Sequence, residues 1–98
     1  MLIQHKQIGK NGIFYVGRNG AIGAELIYHI DPGGNMVIEH TEVGKEFAGK
    51  GAGKELVETA VDYARAQNMK IIPLCPYANA LFKKTPAWRD LLLTTDDG

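Results

Sequence analysis

The run Phe47-Ala48-Gly49-Lys50-Gly51-Ala52-Gly53-Lys54 marks the change from one backbone period to another. Upstream of it, apolar residues alternate in short runs. Downstream, Leu56, Val57, Ala60, Val61 and Ala64 recur at helical spacing, with Glu55, Glu58, Asp62 and Arg65 on the remaining face. The glycines therefore stand where a strand passes into a helix. Glycines at alternate positions remove Cβ atoms and let a ligand approach the main chain. The first amides of a helix lack carbonyl partners, and about half a positive charge gathers there. Lys50 and Lys54 add full charges. Together these features predict an anion seat suited to phosphate or pyrophosphate.

Toward the N-terminus, strands are expected over residues 2–8, 13–16, 24–30 and 36–43. Asn11-Gly12, Arg18-Asn19-Gly20 and Asp31-Pro32-Gly33-Gly34-Asn35 supply the turns between them. Such short connections favour an antiparallel meander. Toward the C-terminus, Asn68 is a helix stop and residues 70–75 form a short fifth strand containing Pro73. Proline has no N–H to donate, so one side of that strand should be partly unpaired. The strand–loop–helix–strand unit makes the fourth and fifth strands parallel. A second helix is expected over 78–84, ended by Thr85-Pro86, with Trp88 and residues 91–93 packed on the body and 94–98 a frayed tail. The fold class is α/β (α+β), in one domain spanning 1–98.

Composition narrows the partners. Eleven Lys and Arg cancel eleven Asp and Glu, which argues against capture of nucleic acid or an anionic membrane. Cys75 is the only cysteine, so no intramolecular disulfide forms, and metal-ligand spacing is absent; no metal is expected. A lone thiol suits a reducing interior. No signal-type or bilayer-length apolar stretch occurs, and the expected location is cytoplasmic.

Several ligands could use the anion seat. A Rossmann fingerprint needs a third glycine where Lys54 or Leu56 stands. Gly44, Gly49 and Lys50 have the spacing of a Walker A loop, but Gly51 replaces its magnesium-binding hydroxyl. A ligand-free glycine-rich cap is a further reading, although three alternating glycines and two lysines exceed what capping requires.

The run Ala48-Gly49-Lys50-Gly51-Ala52-Gly53 resembles motif A of the GNAT acetyltransferase superfamily, Gln/Arg-x-x-Gly-x-Gly/Ala, whose main-chain amides hold the coenzyme A pyrophosphate. Gly51 and Gly53 match, and Ala48 stands where Gln or Arg is usual. With His40-Thr41-Glu42-Val43 before it and Cys75-Pro76-Tyr77 after it, the chain is similar to a subfamily of very short GNAT-like proteins. The resemblance implies a minimal GNAT fold in which the fourth and fifth strands splay and the pantetheine arm of acetyl-CoA lies between them. It implies cofactor contacts at Glu42, Val43, Phe47, Ala48, Gly49, Lys50, Gly51, Ala52, Gly53 and Lys54, with Ala78 and Phe82 from the last helix.

Many GNAT enzymes place a Tyr on the last helix to protonate the leaving thiolate; Phe82 falls at that position, and Cys75 falls where Asn is frequent. His40 and Glu42 are two apart on one strand and share a face. Cys75 ends the neighbouring strand. His40 as base and Cys75 as transient acetyl acceptor or thiol proton donor would follow, and the short subfamily pairs this His with this Cys. The plainer alternatives are a buried apolar Cys75, a His40 that satisfies a hydrogen bond in the sheet, and a solvated Glu42. Tyr28 is expected on the same sheet face as His40 if the hairpin closes around Gly33; His5 and His29 are taken as structural. No helical insertion follows the first strand, so no acceptor pocket is expected. An open site suits a large amine acceptor such as a protein lysine or N-terminus. The alternative is a non-catalytic acyl-CoA binder or sensor.

Overall fold

The computed structural model describes residues 1–93; the tail expected at 94–98 lies outside the described residues. Four antiparallel strands open the chain: β1 (Gln4–Ile8), β2 (Asn11–Arg18), β3 (Ala21–Ile30) and β4 (Met36–Val43). A 3-10 turn (Lys45–Phe47) leads to α1 (Ala52–Ala66), then β5 (Ile71–Pro73), α2 (Pro76–Lys84) and a 3-10 segment (Pro86–Leu91). The sheet order is β1-β2-β3-β4-β5, with β5 parallel to β4. No helix of the described residues is long and apolar enough to cross a membrane.

Turn chemistry sets the strand registers. Asn19 and Gly20 take φ of 51° and 78°, the pair of left-handed conformations that a two-residue hairpin needs. In the next hairpin Asp31 Oδ1 accepts from the amides of Gly33 at 2.9 Å and Asn35 at 2.8 Å. The first hairpin departs from expectation. Its loop is Gly9-Lys10, because Ile8 pairs with Asn11, and Asn11-Gly12 lies inside β2. Gly12 serves packing instead: a Cβ there would overlap the Tyr28 ring.

One face of the sheet carries the core. Phe14, Val16, Leu26, Tyr28, Met36 and Ile38 pack against Leu56, Val57, Ala60, Val61 and Ala64 of α1 and Ala78 and Phe82 of α2 in one buried cluster. Each large apolar side chain so buried contributes about 1.5–3 kcal/mol. On the other face Tyr15, Glu25, Ile27 and His29 remain partly exposed. His5, taken from sequence as structural, stacks on Phe14 at 4.1 Å between centroids and bonds Tyr28 Oη at 2.7 Å.

Two irregularities in β4 shape everything downstream. Ile27 pairs with His40 while Tyr28 pairs with Ile38, so Glu39 is an extra residue, a β-bulge. The bulge reverses the alternation beyond it: Thr41 opposes buried Leu26, and His40 opposes half-exposed Ile27. Tyr28 and His40 thus lie on opposite faces, contrary to expectation, because a strictly period-two reading cannot register an inserted residue. The second irregularity is the short β4–β5 ladder, which ends at Ile38 and Pro73. The amides of Leu74 and Cys75 both reach the Ile38 carbonyl, at 3.0 and 3.1 Å. Residues 39–43 then run on with no strand on that side, which is the expected splay.

The end of the described chain covers the outer edge of β5. Leu93 N–H donates to the Ile71 carbonyl at 2.9 Å, and Arg65 binds Asp90 at 2.6 Å. Trp88 packs on Phe82, with ring centroids 5.1 Å apart.

Crowding at Gly12 gives a direct test of this register. Gly12→Ala should cost about 1–3 kcal/mol through overpacking. Gly17→Ala, whose Cβ would find its nearest atom at 3.7 Å, should stay within about 0.5 kcal/mol. Denaturant unfolding of the two variants measures the difference.

Candidate active site

α1 begins without a side-chain cap. Gly51 occupies the cap position at φ 79°, and the first helical hydrogen bond runs from Glu55 N–H to the Gly51 carbonyl at 3.0 Å. The amides of Ala52, Gly53 and Lys54 are therefore left facing outward without intrahelical acceptors. The glycines of the run serve different ends. A Cβ on Gly51 would meet nothing within 4 Å, so the left-handed backbone, not crowding, demands glycine there. At Gly53 a Cβ would stand 2.8 Å from Tyr77 Oη, so the phenol at the start of α2 leans on the first turn of α1. That contact, and not a ligand alone, fixes Gly53.

A cleft of about 470 Å³ opens beside this turn, lined by Thr41, Val43, Phe47, Ala48, Gly49, Gly51, Ala52, Gly53 and Tyr77. Seven of the residues expected at the cofactor are brought together here. Lys50 and Lys54 are exposed close to the cleft in sequence but do not line it. Ala78 and Phe82 are buried in the core, 0% and 3% exposed, and do not line it either. Their place in the motif corresponds to the inner face of α2, which packs on the sheet. Glu42 turns away with the bulge.

Cys75 does not line the cleft but contacts Thr41, which does. It is 5% exposed, precedes Pro76 at the first position of α2, and its Sγ is 3.5 Å from Thr41 Oγ1. Burial pushes the thiol pKa up, but the Thr41 hydroxyl and the amides of Ala78, Tyr77 and Thr41 outweigh it, and the net direction is down. The sulfur makes no strict capping hydrogen bond to those amides; their effect is that of a helix start on a nearby anion. Tyr77 is shifted up, by burial first and then by the charge of Cys75.

His40 is not brought to Cys75. It sits on the open face, 3.5 Å from Glu42 Oε1, with Glu25 directly across from Glu42 in the β3–β4 register. Donor atoms of Glu25, His40 and Glu42 lie within 4.8 Å of one another. Two strands supply them, so no linear spacing in the sequence announces the cluster. A hollow of about 350 Å³ beside it is lined by Glu25, Glu42, Val43 and Gly44, among others, and shares Val43 with the cleft beside α1. His29, taken as structural, pairs with Glu39 of the bulge.

Sequence reasoning missed Thr41 and Tyr77. Thr41 depends on the bulge, which leaves no local signature. Tyr77 was legible: proline favours the first position of a helix, so Pro76 starts α2 two residues before the expected boundary and places Tyr77 in its first turn.

An uncapped glycine turn and a strand edge left free by an early-ending parallel ladder border one cleft, and the buried thiol of Cys75 touches its Thr41 wall. Residues 13–91 match the family model described as GCN5-related N-acetyl-transferase. The chain belongs to this family. A GCN5-like protein from Staphylococcus aureus, solved by NMR, is 32% identical with a TM-score of 0.71, covering 96% of this chain and 91% of that one. The ribosomal-protein-alanine N-acetyltransferase of Brucella melitensis biovar Abortus 2308 shares the fold at 17% identity and TM-score 0.61, covering 91% and 67%. A Bacillus anthracis acetyltransferase crystallised with acetyl coenzyme A also shares it, at 21% identity and TM-score 0.59, covering 79% of this chain and 47% of that one. Comparison with curated proteins gives no match.

The thiol makes a measurable claim. Alkylation of Cys75 in the folded protein should rise with pH at a midpoint below the ordinary value of 9.0. Because the folded value is the lower one, the stability it confers is present above the unfolded pKa and fades as pH falls through the folded pKa. In denaturant the midpoint should return to the ordinary value. Coincident folded and unfolded titrations would exclude a stabilised thiolate.

Proposed function

We propose that this GNAT chain is an acetyl-CoA-dependent N-acetyltransferase acting on an exposed amine, such as a protein lysine or N-terminus. The observation that carries the proposal is the uncapped start of α1 opening beside the unpaired 39–43 edge of β4. A diphosphate on the amides of Ala52, Gly53 and Lys54, flanked by Lys50 and Lys54, leaves the pantetheine arm to run along Thr41 and Val43 toward Cys75. Hydrogen bonds from an arm to the β4 backbone would replace those that β5 does not make. A reducing, cytoplasmic setting suits the free thiol.

In the reaction, an amine nitrogen attacks the thioester carbonyl, the new C–N bond forms, and the C–S bond breaks with its electron pair leaving on the coenzyme A sulfur. Placement supplies much of the acceleration, because thioesters are already open to aminolysis. Where Cys75 intervenes, its thiolate displaces coenzyme A first and the amine then displaces Cys75; the net exchange is the same. His40 on the open face takes the proton that the amine loses. Glu25 and Glu42 beside it draw an ammonium group to that face before deprotonation. The gap beyond Ile38 and Pro73 lets a thioester on the helix side meet an amine arriving from the other side.

A second reading, an acyl-CoA binder or sensor without turnover, is favoured by the burial of Phe82 where related enzymes carry an acidic Tyr. One set of measurements separates the two. Titration with acetyl-CoA followed by NMR should shift the amides of residues 49–54, and Gly51→Ala should weaken binding while costing about 1–2 kcal/mol of stability. Isotope-labelled acetyl-CoA should leave an acetyl mass on the Cys75 peptide, absent in Cys75→Ala. With a lysine-rich peptide as acceptor, coenzyme A release should fall about 10²–10⁴-fold in His40→Ala. Glu25→Gln with Glu42→Gln should raise the peptide KM. Binding without release or acetyl-cysteine would favour the sensor; no shift at millimolar ligand would remove both readings.

A further inference from the structure

We propose that Thr41, which lines the cleft, is the positioning residue of Cys75, its hydroxyl fixing the buried sulfur beside the cleft. This rests on the reading of Cys75 as the acyl acceptor, but its physical content is separate. Thr41 Oγ1 is 3.5 Å from Cys75 Sγ, and among the described residues it is the side chain recorded in a hydrogen bond with that sulfur. The placement is a product of the bulge. In a regular ladder Glu39 would pair with Ile27, His40 would oppose Leu26 and Thr41 would face the open side; with Glu39 bulged, Thr41 opposes Leu26 and lines the cleft.

A hydroxyl suits the task because it can reverse roles. It carries one donor and two acceptor lone pairs, so it accepts from the S–H of the thiol and donates to the thiolate once the proton has left to solvent. An imidazole in its place would form an ion pair and hold the proton close; a hydroxyl stabilises the anion without carrying charge. When the thiolate attacks the thioester, the electron pair it uses forms the new C–S bond, the bond to coenzyme A sulfur breaks, and Thr41 loses an anionic partner. It is released, not consumed. Around it, Leu26 opposite Thr41 is fully buried and apolar, the amides of Tyr77 and Ala78 at the start of α2 also favour the thiolate, and Tyr77 is the titratable group facing the sulfur from that helix. His40 and Glu42, the neighbours of Thr41, face away, as does Glu25 across the ladder.

Thr41→Val removes the hydroxyl and keeps the β-branched shape; Thr41→Ser keeps the hydroxyl and drops the methyl. The readout is alkylation of Cys75 by iodoacetamide across pH, with ultraviolet thiolate absorbance as a second measure and Cys75→Ala as the blank. Losing a hydrogen bond to a charged group, Thr41→Val should move the midpoint up by about one to two units and slow alkylation below it about 10–100-fold. Thr41→Ser should lie within about twofold of the parent. A Thr41→Val titration that overlays the parent, or a Thr41→Ser titration displaced as far as Thr41→Val, overturns the proposal. A shifted midpoint in a protein whose Cys75 never gains an acetyl group would retain the Thr41 contact and discard the acyl-acceptor role, so the two failures are distinct.

Discussion

The carbonyl of Ile38 accepts two amides, those of Leu74 and Cys75, and at that point the parallel ladder stops. Pro73 has no N–H to extend it, and Pro76 fixes a helix start three residues later. A sheet that continued would have spent the outer edge of β4 on β5. Because it ends, residues 39–43 keep unpaired main-chain groups on that side, and the start of α1 sits beside them. Unpaired edges are normally a hazard. Here the edge is short, and Thr41 and Val43 of it line the cleft beside α1.

The inserted Glu39 acts on the same segment in a different direction. Period-two alternation would send His40 to the helix side and Thr41 to the open side; one extra residue exchanges them. The result is a division of labour across a single strand. A thiol, a hydroxyl and helix-start amides, all suited to anions, share the covered face. A histidine and two carboxylates, suited to a cation and its proton, share the uncovered one. Val43, which borders both hollows, is the common wall. The chain is neutral overall, so this polarity comes from placement and not from composition.

Legibility followed locality. The extent of β4, the apolar stripe of α1 and the glycine run at the start of α1 all rest on residues adjacent in sequence, and each emerges at its expected place. Asn11-Gly12 misled because the same dipeptide signals a hairpin turn and a flat spot beneath an aromatic ring, and only Tyr28 arriving from β3 distinguishes them. The bulge was illegible because Glu39 differs from its neighbours in register alone. That single gap explains the separation of His40 from Cys75, the turning away of Glu42, and the unforeseen position of Thr41. The resemblance implies cofactor contacts at Ala78 and Phe82, yet the amphipathic stripe of α2 requires them in the core.

A core on one face only has consequences for both stability and reach. In a chain of 98 residues the buried cluster between the sheet and two helices must carry nearly all the hydrophobic stabilisation. An antiparallel sheet tolerates an uncovered face when buried and exposed positions alternate along its strands, as buried Ala24, Leu26 and Tyr28 alternate with partly exposed Glu25, Ile27 and His29. Covering that face with further helices would add stability but would also wall off His40 and the carboxylates. Leaving it open exchanges burial for access, and access is what a bulky amine acceptor on a folded protein would need. The feature that makes the fold minimal is therefore also the one that bears on how large an acceptor it can meet.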